Sequence, residues 1–162
     1  MRTSALKAIT AFISSIDDQD VVLEFEPVLG LLIDTVSKAL QVDEEQGTQA
    51  LDSLGELTGA HPEVWKSNTG KLLNVVSQIM LHKDFEPGTR SAAVEVVLAL
   101  SEEMPAALRK APETTTAFFP ALVSMLTEVE EDEETWVAEI ENKDGLGSDP
   151  HSTAVQAITR FC

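Results

Sequence analysis

Apolar residues recur every three or four positions along most of this chain, which is the period of an amphipathic α-helix. Pro, Gly and Asp residues flank these stretches and indicate where the helices begin and end. Asp17, Asp18 and Asp149 are candidate N-caps, Pro27 is a candidate kink and Gly70 a candidate break. The pattern predicts about seven main helices, at residues 1–16, 17–40, 44–61, 62–81, 88–104, 113–127 and 150–161.

Four of these helices share one short pattern, an alanine and an apolar residue followed by further apolar residues at intervals of three. The alanines are Ala5, Ala50, Ala93 and Ala154, which lie 45, 43 and 61 residues apart. Periods of this size with two helices per unit are those of HEAT and armadillo arrays, and two long helices favour HEAT. The last interval exceeds an ordinary period by about 18 residues, which indicates an insertion inside a repeat.

The sequence therefore predicts an all-α fold, a right-handed α-solenoid of antiparallel helix pairs (HEAT repeats) with a long acidic loop inserted in the last repeat. Residues 1–162 are expected to form a single HEAT-repeat segment. The predicted units are 1–16, the second helix of a truncated repeat; 17–61; 62–111; and 112–162, which carries the acidic insertion 128–149 and is truncated at its C-terminus. Neither end has a polar capping repeat, so we expect an internal slice of a longer solenoid.

The stretch from Glu128 to Asp149 is the part that helix packing does not explain. It holds ten acidic residues against one basic residue, Lys143, and it contains one tryptophan, Trp136. Such a stretch buries too little apolar surface to offset its ordering entropy, which predicts a solvated loop. Two interpretations are open: the loop only aids solubility, or it is a contact surface in which Trp136 docks on the helices or anchors a partner.

The charge balance restricts the partners. The formal net charge is -17, from 11 basic and 28 acidic residues. This charge repels phosphate backbones and anionic membranes, so we expect no direct nucleic-acid or membrane partner and instead a basic protein surface. No apolar run is long enough to span a bilayer, and no signal peptide is present, which predicts an intracellular protein.

Further acids lie on the exposed side of the alanine-bearing helices, at Asp52, Glu56, Glu95 and Glu102. In a solenoid the second helix of each unit usually lines the concave face. These acids either extend the acidic surface toward a basic ligand or form ordinary solvated helix faces.

No pattern of catalytic, cofactor-binding or metal-ligating residues is found. His61, His82 and His151 lie in three different interhelix regions, and none is spaced for a metal site with a cysteine or carboxylate. Phosphate-binding loops and nucleophile elbows are also lacking. The single cysteine, Cys162, excludes an internal disulfide. We therefore expect a protein that is not an enzyme.

The acidic stretch also carries a family resemblance. A helix ending in Ser124–Thr127, then the acid run Glu128–Glu134, then Trp136, resembles the importin-β superfamily. The segments RTSALKAI (2–9) and AVEVVLALSEE (93–103) are similar to the importin β3 branch of nuclear import receptors. The similarity covers essentially the whole chain.

The resemblance implies a piece from the N-terminal half of a long HEAT-repeat receptor that shuttles between cytoplasm and nucleus. Such receptors carry cargo proteins with basic nuclear-localisation signals through nuclear pores and release them when Ran-GTP binds. Phenylalanine-glycine nucleoporins are implied as further partners, on the outer helices. The family's acidic loop contacts Ran or cargo, a role that transfers to Glu130, Glu131, Asp132, Glu133, Glu134 and Trp136. The alternative is a generic HEAT scaffold or adaptor of the phosphatase-subunit type, with the loop as a solvated spacer.

Overall fold

The computed structural model describes residues 2–128 and 149–161, and within these ranges all regular structure is helical, as predicted. The helices are α1 (Arg2–Ser14), α2 (Gln19–Leu23), α3 (Glu26–Val42), α4 (Glu44–Ala60), α5 (Thr69–Leu81), α6 (Pro87–Glu103), α7 (Pro105–Lys110), α8 (Phe119–Leu126) and α9 (Pro150–Phe161). A 3-10 helix at Pro62–Trp65 precedes α5, and a π-helical turn at Thr114–Phe118 precedes α8. Since α2 and α7 are short, the described part contains the seven main helices that the periodicity predicts.

Aspartates begin three of the helices. The side chains of Asp18, Asp43 and Asp149 accept hydrogen bonds from backbone N–H groups two or three residues further on, at the starts of α2, α4 and α9. These N–H groups have no partner inside the helix, so a short acidic side chain satisfies them and also suits the positive end of the helix dipole. The predicted caps at Asp18 and Asp149 are thus present.

Two predicted helices are divided at other positions than the sequence suggested. The second is broken at Glu24–Phe25 into α2 and α3, because Pro27 lies in the first turn of α3 and cannot donate a backbone hydrogen bond to the preceding turn. In the fourth, the 3-10 helix and a turn end before Thr69, so the division precedes Gly70, which lies in the first turn of α5.

The long helices form two layers. Helices α1, α4, α6 and α9 pack side by side in this order, while α3, α5 and α8 form the other layer and pack on α4, α6 and α9. Ala50, Ala93 and Ala154 are completely buried, which agrees with small residues allowing close helix packing. Ala5 is exposed on α1, which has a neighbour in its layer on one side only among the described residues.

Hydrogen bonds between neighbouring units repeat at a constant sequence separation. In the first three units the paired residues lie 41 to 43 positions apart: Thr3 with Gln46, Thr48 with Thr89, Asn68 with Glu26, and Lys71 with Gly30. The next bond of this kind, between the hydroxyl groups of Ser91 and Thr153, joins residues 62 positions apart at 2.7 Å. The excess of about 20 equals the stretch 129–148 that lies outside the described residues, so the packing register continues in α9.

Trp65 closes a corner between helices. Its side chain is completely buried, and the 3-10 helix that carries it packs against α2, α3 and α4. The indole N–H has no hydrogen-bond acceptor among the described residues. An unsatisfied buried donor costs about 1–3 kcal/mol, so the benefit of Trp65 comes from the apolar surface that its ring buries.

Candidate functional site

The four acids predicted on the second helices are all exposed. Asp52 and Glu56 are one helical turn apart and therefore share a face of α4. Among the described residues, no basic side chain lies within ion-pair distance of either carboxylate. Their negative charge is therefore not compensated locally in this part of the chain.

Glu95 and Glu102 on α6 are in a different situation, because Arg160 of α9 holds both. Arg160 Nη1 donates to both oxygens of Glu95, at 3.0 and 2.8 Å, and Nη2 donates to Glu102 Oε1 at 2.7 Å. The hydrogen bonds of Glu95, followed by those of Glu102, raise the pKa of Arg160 above its usual value. The guanidinium thus remains charged and joins two neighbouring helices of one layer.

This contact divides the predicted acidic face into two parts. The carboxylates on α6 already bind a guanidinium from the chain itself, while those on α4 do not. All three side chains of the α6 contact are partly exposed, with Arg160 at 38%. Asp52 and Glu56 thus carry uncompensated charge among the described residues, whereas Glu95 and Glu102 are already paired with Arg160.

The acidic stretch leaves the helices at an ion pair between the buried Arg90 and the partly exposed Glu128. Glu128 follows α8, and its two carboxylate oxygens accept hydrogen bonds from Nη1 and Nη2 of Arg90 at 2.7 and 2.9 Å. Arg90 is only 3% exposed, and its Nε donates to the carbonyl oxygen of Met80 in the last turn of α5 at 2.7 Å. Lys83 adds a longer contact to Glu128, at 3.6 Å. Arg90 thus fastens the ends of α5 and α8 to the first turn of α6.

The electrostatics of this contact follow from its geometry. The hydrogen bonds of Arg90 lower the pKa of Glu128; burial opposes this effect, and the charges of Arg90 and Lys83 reinforce it. The carboxylate is therefore ionised at neutral pH and already engaged. The first acid of the run is part of the helical framework and is not available to a partner.

The stretch is also fastened where α9 begins. His151 Nδ1 lies 2.8 Å from the carbonyl oxygen of Leu126, the last residue of α8. Since a carbonyl only accepts, the proton of this hydrogen bond is on Nδ1. Together with the Asp149 cap, this bond joins the start of α9 directly to the end of α8. Residues 129–148 therefore begin and end at one fixed point of the solenoid.

The remaining predicted contact residues lie outside the described residues. They are Glu130, Glu131, Asp132, Glu133, Glu134 and Trp136. Their role in binding stays a prediction. What the structure adds is the anchoring of the segment that contains them.

Arg90 and Arg160 are the two structural residues that the sequence interpretation did not single out. Arg90 occupies the same helical stripe as the buried Ala93, Val94 and Val97, and a charged residue in an apolar stripe requires a partner. The position of Arg90 in an apolar stripe therefore predicts a carboxylate partner from the sequence alone. For Arg160, the repeat alignment places it opposite residue 99, between Glu95 and Glu102, so its pairing could also have been inferred.

In the described part of the chain, no group of three or more His, Cys, Asp or Glu side chains is arranged to hold a metal ion. None of the helices in residues 2–128 and 149–161 combines the length and apolar character needed to cross a bilayer.

Comparison with known proteins gives a family and a fold. The importin repeat family profile matches residues 82–162, half of the chain. The structure of Kap121p bound to Nup53p matches with a TM-score of 0.82 and 20% identity, and that of Kap121p bound to Ste12p with 0.79 and 20%. The karyopherin Kap121p bound to the SUMO protease Ulp1p also gives 0.79 and 20%.

These matches cover 98% of this chain but only 16% of each solved chain. At this identity they show the fold, an α-solenoid of the karyopherin type. No curated protein matches the sequence.

Proposed function

The chain belongs to the importin-β family of HEAT-repeat proteins, and from this premise we propose that it is part of a nuclear transport receptor that binds protein cargo through its acidic surface. The cargo carries a basic nuclear-localisation signal. Its contacts are the acidic run from Glu130 to Glu134 with Trp136, and the exposed acids Asp52 and Glu56. Glu95 and Glu102 contribute where a basic partner displaces Arg160.

The observation that carries this proposal is the anchoring of the acidic stretch. Arg90 and His151 hold both of its ends against the helices, at 2.7 to 2.9 Å. A stretch with no role beyond solubility needs no such attachment, whereas a contact surface gains from a fixed origin because less entropy is lost on binding. The solved Kap121p chains, which share this fold, are bound to protein partners.

The proposed cycle is that of the family. Ran-GTP binding releases the cargo, phenylalanine-glycine nucleoporins contact the outer helices, and the receptor shuttles between cytoplasm and nucleus. The protein acts by binding and not by catalysis. The predicted unit boundaries at residues 16, 61 and 111 belong to the same proposal, since the next helix pair begins after each of them.

The test measures binding of a fluorescent peptide with a basic localisation signal by anisotropy. In one variant the five acids of the run from 130 to 134 are changed to Gln or Asn. The matched control neutralises five exposed acids elsewhere: Asp17, Asp20, Glu24, Asp84 and Glu103. We expect affinity to fall about tenfold in the first variant, mainly through slower association, and to change little in the control.

Two further measurements separate the alternatives. Ran-GTP, but not Ran-GDP, is expected to compete with the peptide. A Trp136→Ala variant with unchanged affinity would favour the generic scaffold, in which the acidic stretch is a spacer. Equal losses in both five-acid variants would show that only net charge matters and would remove the acidic run from the mechanism.

A further inference from the structure

A groove of about 440 Å³ lies on the side of the molecule where α5 begins and α7 ends. The lining includes the apolar side chains of Met104, Ala106, Ala107 and Ala111. The exposed side chains of Lys66 and Lys110 line the same groove. It thus combines an apolar lining with two cations at its edge.

The cations of this region differ from most others in the described residues. Lys71, Lys83, Arg90 and Arg160 each form an ion pair with a carboxylate. Lys66 and Lys110 form neither an ion pair nor a side-chain hydrogen bond within the described ranges. In a chain with a net charge of -17, two uncompensated cations at the edge of one groove form a local region of opposite sign.

One acid, Glu113, also lines the groove, but its carboxyl group is directed at the start of α5. A Cβ atom on Gly70 would lie 2.8 Å from Glu113 Cδ, so the absence of a side chain at Gly70 allows this approach. Asn68 provides no side-chain cap for α5. The carboxylate therefore lies near the positive end of the helix dipole, and Lys66 and Lys110 remain available.

We propose that this groove binds a short acidic segment of a partner protein that also carries an apolar side chain. The partner's carboxylates pair with Lys66 and Lys110, and its apolar side chain packs on Met104 and the alanines. Charge complementarity selects this occupant, because a neutral peptide makes no use of the lysines. A long polyanion such as nucleic acid would meet the negative charge of the rest of the molecule.

This site is separate from the proposed cargo surface, and its ligand has the opposite charge. A receptor with both sites can hold a basic partner and an acidic partner at the same time. Their affinities can then be measured independently, since the variants that test one site leave the residues of the other unchanged.

The experiment titrates the chain with a fluorescent peptide of alternating Glu and Asp around one leucine, and with a peptide in which Gln and Asn replace the acids. The test variant is Lys66→Gln with Lys110→Gln. The matched control, Lys7→Gln with Lys38→Gln, removes two exposed lysines outside the groove. We expect the acidic peptide to bind roughly three- to tenfold more weakly to the test variant and equally well to the control.

Three results would overturn the proposal. Equal weakening in both variants would mean that only overall charge matters. Equal binding of the Gln and Asn peptide would leave an apolar groove without charge recognition. Binding that appears only after residues 129–148 are replaced by a Gly-Ser linker would make the chain's own acidic stretch the occupant.

Discussion

Two arginines hold glutamates in the part of the chain that the structure describes, and they differ chiefly in burial. Arg90 is 3% exposed and places both oxygens of Glu128 and one backbone carbonyl around its guanidinium. Arg160 is 38% exposed and joins Glu95 to Glu102. Water competes for every group in the second contact but for few in the first. Similar hydrogen bonds therefore stabilise a framework in one region and a replaceable surface contact in the other.

Arg90→Met is expected to have the largest effect on stability. The methionine keeps the apolar stem but leaves Glu128 and the carbonyl of Met80 without their donor. Removing one partner of a buried pair costs about 3 kcal/mol, which urea unfolding measures. Arg109→Met is the control, since Arg109 is exposed and unpaired among the described residues, and surface changes of this kind stay within about 0.5 kcal/mol.

A second variant tells whether Arg90→Met destabilises the protein because Glu128 loses its partner or because the new side chain packs poorly. Changing Glu128 to leucine together with Arg90→Met removes both charges, and we expect most of the lost stability to return. A double variant as unstable as Arg90→Met alone would mean that the loss comes from poor packing of the methionine or from the Met80 carbonyl, which lacks its donor in both variants. The Arg90–Glu128 pair would then not explain why changing Arg90 lowers stability more than changing Arg160.

The pH dependence of the unfolding free energy is expected to differ between the two arginine contacts, with the second largest effect. Because Arg90 lowers the pKa of Glu128 below 4.5, its stabilising contribution is present above pH 4.5 and is lost as the pH falls through the lowered value. The difference in unfolding free energy between the parent and Glu128→Gln should therefore shrink below about pH 4.5. The hydrogen bonds of Glu95 and Glu102 raise the pKa of Arg160, so its guanidinium stays charged and Arg160→Gln should show a constant difference between about pH 6 and 9.

Arg160→Gln should have the smallest effect, about 0.5–1 kcal/mol at low salt. It should largely disappear at about 0.5 M salt, because the side chains are partly exposed and screened. Unfolding curves at both salt concentrations test this. A larger, salt-independent loss would place Arg160 in the same class as Arg90. The same variant should bind a basic peptide more tightly if Glu95 and Glu102 take part in cargo binding.

Local sequence patterns were enough to predict the helices and how they stack. Asp18 and Asp149 cap helices because a carboxylate suits free N–H groups wherever it precedes a helix. The repeated alanines predicted close packing, and Ala50, Ala93 and Ala154 are indeed buried. Ala5 is the exception. It is exposed because α1 has a neighbouring helix in its layer on one side only among the described residues.

The contacts of the candidate site depend on tertiary register, which local patterns do not determine. Glu128 belongs by sequence to the acidic run, yet its partner lies 38 residues away. The groove beside α7 likewise depends on where Gly70 and Glu113 meet. The predicted residues from Glu130 to Trp136 lie outside the described residues, so their contacts remain a prediction.

The bond between His151 and Leu126 has a consequence for how this repeat can vary. Glu128 and the start of α9 are both held at the end of α8, so the helices keep their positions when the number of residues between these two points changes. For a flexible chain, doubling the length costs about 0.6 kcal/mol, less than the loss of one buried hydrogen bond. We therefore expect insertions and deletions between these two points to cost little folding free energy, so that natural selection can adjust the length and composition of this stretch to its partners while the helices stay unchanged.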